Sequence, residues 1–477
     1  MEVATLRAVN VLSTTSFFAS NTSKPLPFPI KRGSLPLLLL PRCSPKPDPK
    51  LDTNPGFDFQ AEPVSDKGKP SSKGPNFGSV FPSAASSRGL VLDLGPTGSW
   101  DSRVVGSPVV KRFLSDEEER WYMWYHGSCG ERDDQEDPNT TGNYIGDSIG
   151  LAVSRNGVHW ERGMGPAESS LDAGQVLRCG DDWWAFDTLR IRPSEVVVMS
   201  SDKVRVSSAV YWLYYTGFCG EEVEVVDKDG SFESTFRGNL ERFCLFDAGS
   251  GDGGSKARIF KSLPGLAISQ DGRHWARIEG EHHSGALFDV GPEGDWDSLF
   301  VASPQVVFHG NGDLRMYYHS FDARNGEFCI GVARSRDGIK WLKLGKIIGG
   351  GKSGCFDVLG AMNACVVKRQ RDGKSDYLMV YEGVGADGKN GIGVATSSDG
   401  LNDWRRVQDE AVLEPSDDQG WDNKGVGSPC LVQMSNEVDE WRLYYTGVGD
   451  TGRTGIGMAI SKGGDFTCFR RWPGFQL

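Results

Sequence analysis

The chain has 477 residues, and its 62 glycines and 10% aromatic side chains are typical of strands joined by tight turns. Its formal net charge is -12, and no basic run follows the N-terminal segment. Because nucleic-acid binding needs clustered Lys and Arg to neutralise phosphates, we expect no nucleic-acid partner.

The N-terminal segment differs from the rest of the chain. Its first 43 residues are rich in Ser, Thr and Pro, and Glu2 is their only acidic residue. This composition is typical of an organelle transit peptide, and the scarcity of Arg favours the chloroplast stroma over the mitochondrion. A secretory signal is the alternative, but the apolar run at 35–40 contains Pro36 and is too short to span a bilayer.

Composition also sets the expected domain boundaries. We predict a transit peptide over residues 1–60, a disordered linker over 61–88 and a folded domain over 89–477. The first 60 residues hold seven of the 52 basic and four of the 64 acidic side chains, so the remainder carries a net charge of -15. An acidic domain is repelled by anionic membranes, and no segment is predicted to insert into a membrane.

Three phrases recur five times in a fixed order after residue 90. Each repeat begins with an aromatic residue and Asp, which lead into an apolar run. An aromatic stretch ending in HG, TG, HS or EG follows, and then a Gly-rich stretch with a tight turn and usually a Trp. The first phrase reads WDSRVVGSPVV (100–110), FDTLRIRPSEVVV (186–198), WDSLFVASPQVV (296–307), FDVLGAMNACVV (356–367) and WDNKGVGSPCLV (421–432).

Each repeat predicts one four-stranded antiparallel blade. The apolar runs have strand length, and the aromatic stretches alternate as residues on a pleated face do. Asn-Gly and Asp-Gly pairs supply the positive φ that a two-residue hairpin needs. Five such blades predict an all-β fold, a five-bladed β-propeller. A tryptophan after each of four turns is predicted to pack the outer strand against the next blade; these are Trp160, Trp275, Trp341 and Trp404.

Strand direction predicts which loops share a face. The aromatic-Asp steps and the ends of the aromatic stretches fall on one face of the disc, around the mouth of the central funnel. Two long insertions, at about 127–147 and 218–263, fall there too. Loops of this length are uncommon in compact domains unless they are functional or disordered, so a lid over the funnel and surface disorder are both open.

The repeated phrases resemble those of five-bladed propellers in the arabinanase/levansucrase/invertase superfamily, which includes glycoside hydrolase families 43, 32 and 130. The resemblance covers about 90–477. It implies a carbohydrate ligand, no cofactor, and hydrolysis or transfer of glycosyl units by paired carboxylic acids on the innermost strands. At the three positions that match the family's acids, this chain has Ser107-Pro108, Arg192-Pro193 and Ser303-Pro304.

Candidate catalytic residues therefore come from other acids near the funnel mouth. Glu382 breaks the repeat, because the other four blades have His or Thr in its place. We predict that Glu382 is catalytic, with Asp101 and Asp297 as candidate partners. Crowding by Asp357 or Asp422 would raise the pKa of Glu382 and suit it to donate a proton. An exposed rim carboxylate is the alternative.

The Asp of the first phrase recurs in every blade, which favours a turn or strand-start cap over a carboxylate ring that binds a polyol or a cation. Off-pattern residues add further candidates. The predicted substrate-binding residues are Asp187, Asp357, Asp422, Arg192, His126, His319, Trp183 and Trp184. Each has a structural alternative: strand capping for the histidines, an ion pair with Asp187 or another ring acid for Arg192, and packing under a long loop for the tryptophans.

The ten cysteines show no spacing typical of a metal site, and no metal is predicted. Cys129 and Cys219 occupy the same place in successive repeats, so a disulfide between them is open.

Two function classes follow from the sequence: a carbohydrate-active enzyme in the plastid, or a non-catalytic propeller that binds sugar or a protein partner.

Overall fold

The computed structural model describes residues 7–8 and 87–474, except 115–117, 130–146, 164–169, 200–209, 227–244, 247–255, 311, 372–373, 387, 418, 436–439 and 462–465. These residues form five antiparallel sheets. In each sheet four successive strands lie side by side, as the repeat predicts.

The strands are numbered along the chain. Blade 1 contains β3 (Val104–Leu114), β4 (Glu119–Ser128), β5 (Ser148–Ser154) and β6 (Glu161–Arg162), with β1 (Arg7–Ala8) and β7 (Gln175–Leu177) paired at its edges. Blade 2 contains β8 (Arg190–Met199), β9 (Val210–Val226), β11 (Lys256–Ser269) and β12 (Ala276–Ile278), with β10 (Leu245–Phe246) beside β11. A short 3-10 helix spans Ser170–Asp172.

Blade 3 contains β13 (Ala302–Gly310), β14 (Asp313–Asp322), β15 (Glu327–Ser335) and β16 (Trp341–Ile348). Blade 4 contains β17 (Ala361–Arg371), β18 (Lys374–Val384), β19 (Asn390–Ser397) and β20 (Arg405–Arg406). Blade 5 contains β21 (Gly425–Ser435), β22 (Glu440–Val448), β23 (Thr454–Ser461) and β24 (Arg470–Arg471), with β2 (Leu90–Leu92) also paired to β23.

The first strands of the blades form a closed ring. Each of β3, β8, β13 and β17 contacts the first strand of the next blade, and β21 contacts β3. These are therefore the inner strands. The chain is a five-bladed β-propeller, which confirms the predicted fold.

The apolar core is divided among the junctions between blades. Five buried clusters each combine side chains of two adjacent blades. In one of them Trp124 of blade 1 packs with Ile191 and Leu213 of blade 2. Burial between blades, which removes apolar area from water, thus holds the ring together.

The outer-strand tryptophans pack against the preceding blade, so the predicted direction is wrong. Trp275 of blade 2 meets Trp124 of blade 1, with ring centroids 6.3 Å apart. The hairpin before the tryptophan explains the direction, because the hairpin contacts the same preceding blade. Trp124 Nε1 donates a hydrogen bond to the Gly272 carbonyl at 2.9 Å. The other tryptophans follow the same rule: Trp160 meets Tyr444, Trp341 meets Tyr214 and Trp404 meets Tyr317.

The aromatic-Asp steps lie beside the ends of the second strands, as predicted. A Cβ on Gly127 would lie 2.5 Å from Asp101 Cβ, and Gly217 has the same relation to Asp187. In blade 2 the hairpin of β9 and β11 extends beyond the blade as a paired ladder to Val226 and Lys256. Apart from β10 and a few residues at the ends of the first insertion, the rest of both long insertions lies outside the described residues, and so does the predicted lid.

Among the described residues, no helix has the length and apolar character of a membrane span.

Candidate functional site

The five recurring aspartates are buried, and each joins the strands of its own blade. The Oδ2 atom accepts a hydrogen bond from a Tyr hydroxyl on the second strand and pairs with a cationic side chain on the outer strand. The cation is a hydrogen-bonding Arg in four blades and an ion-paired Lys in blade 3. The sets are Asp101 with Tyr125 and Arg162, Asp187 with Tyr215 and Arg277, Asp297 with Tyr318 and Lys343, Asp357 with Tyr381 and Arg406, and Asp422 with Tyr445 and Arg471, at 2.7–3.0 Å. We call each set an Asp clamp.

The clamps fix the protonation of their members. Burial and the adjacent carboxylate raise the pKa of Tyr125 well above its ordinary value, so its hydroxyl stays a donor. The cation of each clamp was not predicted from the sequence, although a signal exists. It stands two residues after the outer-strand aromatic, as in Trp160 and Arg162 or Phe469 and Arg471. The predicted ligand-binding role of the aspartates stays a prediction. Their observed partners are Tyr, Arg and Lys side chains, rather than the backbone N–H groups of a turn or strand-start cap.

A second repeated contact joins neighbouring blades at the funnel mouth. A residue near the end of the second strand accepts the backbone N–H of a bulged residue on the next inner strand. The pairs are Thr216 with Ser303, His319 with Asn363, Glu382 with Ser428 and Thr446 with Ser107, at 2.8–3.4 Å. The bulged residues have φ between +46° and +52°. We call these contacts mouth latches.

The inner strand of blade 2 corrects the sequence alignment. Arg192 pairs with Thr216 as Gly106 pairs with His126, so Pro193, not Arg192, is the counterpart of Ser107. Proline has no N–H, and the latch from His126 is therefore missing at this junction.

Arg192 does not pair with Asp187, contrary to one of its predicted alternatives. Its Nε lies 2.9 Å from Asp147 Oδ2, and its guanidinium lies over the Phe218 ring. Burial would raise the pKa of Asp147, but the positive charges of Arg192 and Arg190 and the hydrogen bond from Arg192 together lower it below the ordinary value. This ion pair ties the start of β5 to the inner strand of blade 2.

Glu382 is fully buried, so the alternative of an exposed rim carboxylate is wrong. Its Oε2 accepts from Asn363 Nδ2 and from the Ser428 N–H, both at 2.8 Å, and its Oε1 accepts from Asn390 Nδ2 at 2.6 Å. N–H donors surround the carboxylate in place of the predicted crowding by aspartates, because Asp357 and Asp422 are turned into their own clamps.

Glu382 belongs to a larger network between blades 3, 4 and 5. Asn363 Oδ1 accepts from Ser303 Oγ at 2.6 Å, and Asn363 Nδ2 lies 3.4 Å from Ser428 Oγ. Ser303, Asn363 and Ser428 are partly exposed, so their hydroxyl and amide groups remain within reach of a ligand. The blade-4 polar cluster, as we call it, comprises Ser303, His319, Asn363, Glu382, Asn390 and Ser428.

The two predicted histidines are both buried. Burial lowers the pKa of His319 to about 3, so its imidazole is neutral and accepts the Asn363 N–H. His126 pairs across the strands with Gly106 at the same level of the mouth. The contact observed for His319 is a mouth latch to the inner strand of blade 4, rather than a cap on its own strand.

Glu195, a buried carboxylate near the axis, was not predicted from the sequence. Glu195 lies 2.5 Å from Lys111 Nζ and accepts from Gln305 Nε2 at 2.7 Å. Burial disfavours the lysine charge, but Glu195 outweighs it and the pKa of Lys111 is raised. The signal was its repeat position, where the other blades have Val, Gln or Cys. The pair links the inner strands of blades 1, 2 and 3.

One group of possible metal ligands occurs in the described part of the chain. Asp322, Glu327 and Cys329 offer atoms within 4.8 Å of one another. Lys346 Nζ lies 3.3 Å from Asp322 Oδ2 and 3.1 Å from Glu327 Oε1, so an ammonium group already offsets part of their negative charge. No disulfide joins Cys129 and Cys219.

The two off-pattern tryptophans are not packed under other residues. Trp183 is 91% exposed and Trp184 is 41% exposed, so the packing alternative is wrong. They lie in the turn that leads to Asp187, on the face that holds the funnel mouth.

No protein-family model matches the chain. It is 32% identical over 212 residues to "Uncharacterized protein MT1551" of Mycobacterium tuberculosis (strain CDC 1551 / Oshkosh), which is 42% of this chain and 62% of that protein. "Uncharacterized protein Rv1502" of strain ATCC 25618 / H37Rv is 31% identical over 209 residues, with the same shares. The chain thus spans less than two thirds of these relatives.

Similar solved structures include a "thermostable family-43 glycoside hydrolase", with a TM-score of 0.46 and 16% identity over 78% of this chain and 96% of that one. Another is described as "The GH130 family of mannoside phosphorylases contains glycoside hydrolases that target beta-1,2 mannosidic linkages in Candida mannan". Its TM-score is 0.42 with 16% identity, over 79% of this chain and 89% of that one. Because these TM-scores and identities are low, the five-bladed architecture is assigned from the strand pairing itself.

Proposed function

We propose that this protein is a carbohydrate-active propeller of the glycoside-hydrolase-like kind, which binds a sugar at the blade-4 polar cluster and hydrolyses or transfers a glycosyl unit. The set Asn363, Glu382 and Asn390 carries the proposal. Asn363 and Glu382 depart from the repeat, all three residues lie in blade 4, and they are joined by hydrogen bonds of 2.6 and 2.8 Å. Residues that break the repeat and lie together in one blade at the funnel mouth indicate a ligand site.

The chemistry of the cluster suits a polyhydroxylated ligand. The partly exposed Ser303, Asn363 and Ser428 can donate to and accept from sugar hydroxyls. Glu382 holds the Asn363 amide from behind, so proton exchange with a substrate requires Asn363 to move aside. Glu382 is then the group that donates or accepts the proton.

A second candidate, sugar binding without bond cleavage, is favoured by the Asp clamps. Cleavage of a glycosidic bond by paired acids needs a second carboxyl group beside the scissile bond. Asp101 and Asp297, the predicted partners of Glu382, are each buried. Each already accepts from a Tyr hydroxyl and forms an ion pair with a cation of its own blade. Binding needs the polar cluster alone, whereas turnover needs that second acid.

Turnover of aryl glycosides and oligosaccharides by the purified full chain separates the two candidates. Glu382→Gln should lower kcat/KM at least about 100-fold, since a proton-transfer group contributes that much. Thr446→Val is the matched control. It removes the mouth latch to Ser107 but no carboxyl group, and should keep activity within a few-fold.

Equal losses in the two variants would reduce Glu382 to a latch and contradict its catalytic role. Sugar binding by the parent chain without turnover on any substrate would establish the second candidate.

We infer that residues 1–60 direct the chain to the chloroplast stroma. Their Ser-, Thr- and Pro-rich composition with few acids supports this inference. A fusion of these residues to a fluorescent protein should accumulate in chloroplasts of plant cells. Fluorescence confined to the cytosol or the secretory pathway would reject it.

A further inference from the structure

The turn before the inner strand of blade 2 differs from its counterparts. In blade 1 the Ser99 N–H donates to the Pro96 carbonyl, and Gly98 has a φ of +85° inside the turn. Blades 3 and 4 repeat this arrangement with Gly294 and Gly354. In blade 2 the bond runs from the Ala185 N–H to the Asp182 carbonyl, and the central residues are Trp183 and Trp184.

Blade 2 also has one additional residue ahead of this turn. The bond that closes the step joins Gly180 to Asp187 there, but Gly95 to Asp101 in blade 1. Asp187 still occupies its clamp with Tyr215 and Arg277. The additional residue therefore lies before Asp182 and leaves the fold intact. Trp183 and Trp184 stand at the tip of the turn in place of Thr97 and Gly98.

The fold does not require these two indole rings to be exposed. The other blades form the turn with small or polar residues, and the apolar clusters between blades contain neither tryptophan. A pair of tryptophans 91% and 41% exposed on one turn is an apolar surface available to a partner.

The surroundings of the rings define the chemistry of that partner. Trp184 lies over Gly285, where a Cβ would be 3.9 Å from the ring, and the Phe186 N–H donates to the Ser284 carbonyl beside it. Asp181 and Asp182, which precede the tryptophans, are exposed. Aromatic faces take the C–H face of a sugar ring, and carboxylates accept from its hydroxyls, whereas two negative charges repel an anionic ligand.

We propose that Trp183 and Trp184 form a platform on the mouth face that binds a neutral oligosaccharide. This inference rests on the proposed carbohydrate function and deepens it. The platform holds the distant units of a chain whose end lies at the blade-4 polar cluster. The preferred ligand is therefore an uncharged glycan that is long enough to lie on both places.

Calorimetric titration of the full chain with neutral gluco-, manno-, xylo- and arabino-oligosaccharides of two and six units tests the platform. Trp183→Ala and Trp184→Ala should each weaken hexasaccharide binding about tenfold and leave disaccharide binding unchanged. Leu342→Ala is the matched control, because Leu342 is an exposed apolar residue (68%) on the outer strand of blade 3. It should bind both lengths like the parent chain.

The outcomes separate this inference from the proposed function. If the parent chain binds the hexasaccharide and both Trp variants bind it equally well, the platform is rejected while the funnel site stands. If the disaccharide is not bound but the hexasaccharide is, with loss in the Trp variants, the platform stands and the funnel site fails. No binding of any hexasaccharide, or binding of a protein partner in place of sugars, overturns the platform.

Discussion

Asp422 illustrates how one residue stabilises a blade. Its buried carboxylate accepts from Tyr445 and Arg471, so Asp422→Asn would leave the Arg471 charge without its partner. We expect a loss of about 3 kcal/mol in the free energy of unfolding, measured by urea denaturation. Asp450→Asn is the matched control, since the salt bridge of Asp450 with Lys424 is exposed, and it should change little. Similar losses in both variants would contradict the clamp.

His319 predicts a dependence of stability on pH. Its pKa is about 3 in the folded chain and near the ordinary 6.5 in the unfolded one, so between these values the unfolded state binds one more proton. Its contribution is therefore complete above pH 6.5 and falls by about 1.4 kcal/mol per pH unit below it. His319→Gln should flatten the acid limb of a stability profile, while His274→Gln, at an exposed residue, should not. An unchanged limb in His319→Gln would contradict the prediction.

At the scale of the element, the hairpin before the outer strand is set by a glycine in each of blades 1 to 4. Gly157 has a φ of +72°, its carbonyl accepts from Tyr444 Oη, and a Cβ there would lie 2.7 Å from that oxygen. Gly157→Ala should cost about 2–4 kcal/mol by adding a clash to the backbone strain. Gly312 has a φ of +71° and no atom within 4 Å of a Cβ, so Gly312→Ala should cost about 1 kcal/mol. Equal losses in urea denaturation would show that the blade contact does not matter.

The inner strand of blade 2 shows where element prediction from sequence fails. Aligning Arg192-Pro193 with Ser107-Pro108 places the prolines together, yet Pro193 occupies the bulge and Pro108 follows it. A bulge shifts the register by one residue, and hydropathy does not report the shift because apolar residues continue on both sides. The strands themselves were predictable, since each repeat carries its own periodicity and turn residues.

At the scale of the whole molecule, the ring is closed by strands from both ends of the propeller. Met458 N–H donates to the Gly89 carbonyl, Trp421 Nε1 donates to the Arg88 carbonyl, and Leu92 is buried beside β23. A chain that begins at residue 95 should therefore melt about 5 °C lower than one that begins at 87. Equal melting temperatures by calorimetry would show that β2 does not close the ring.

The repeat by itself determined the number of blades, the strand order and the face on which the insertions emerge, because every copy carries the same local pattern of apolar runs and turns. It also singled out Glu382, Trp183 and Trp184, which interrupt that pattern. Only the tertiary structure decided what these residues contact. The clamp cations, the burial of Glu382 and the exposure of Trp183 depend on how neighbouring strands and blades meet, and contacts between distant segments leave no periodic signal in the chain.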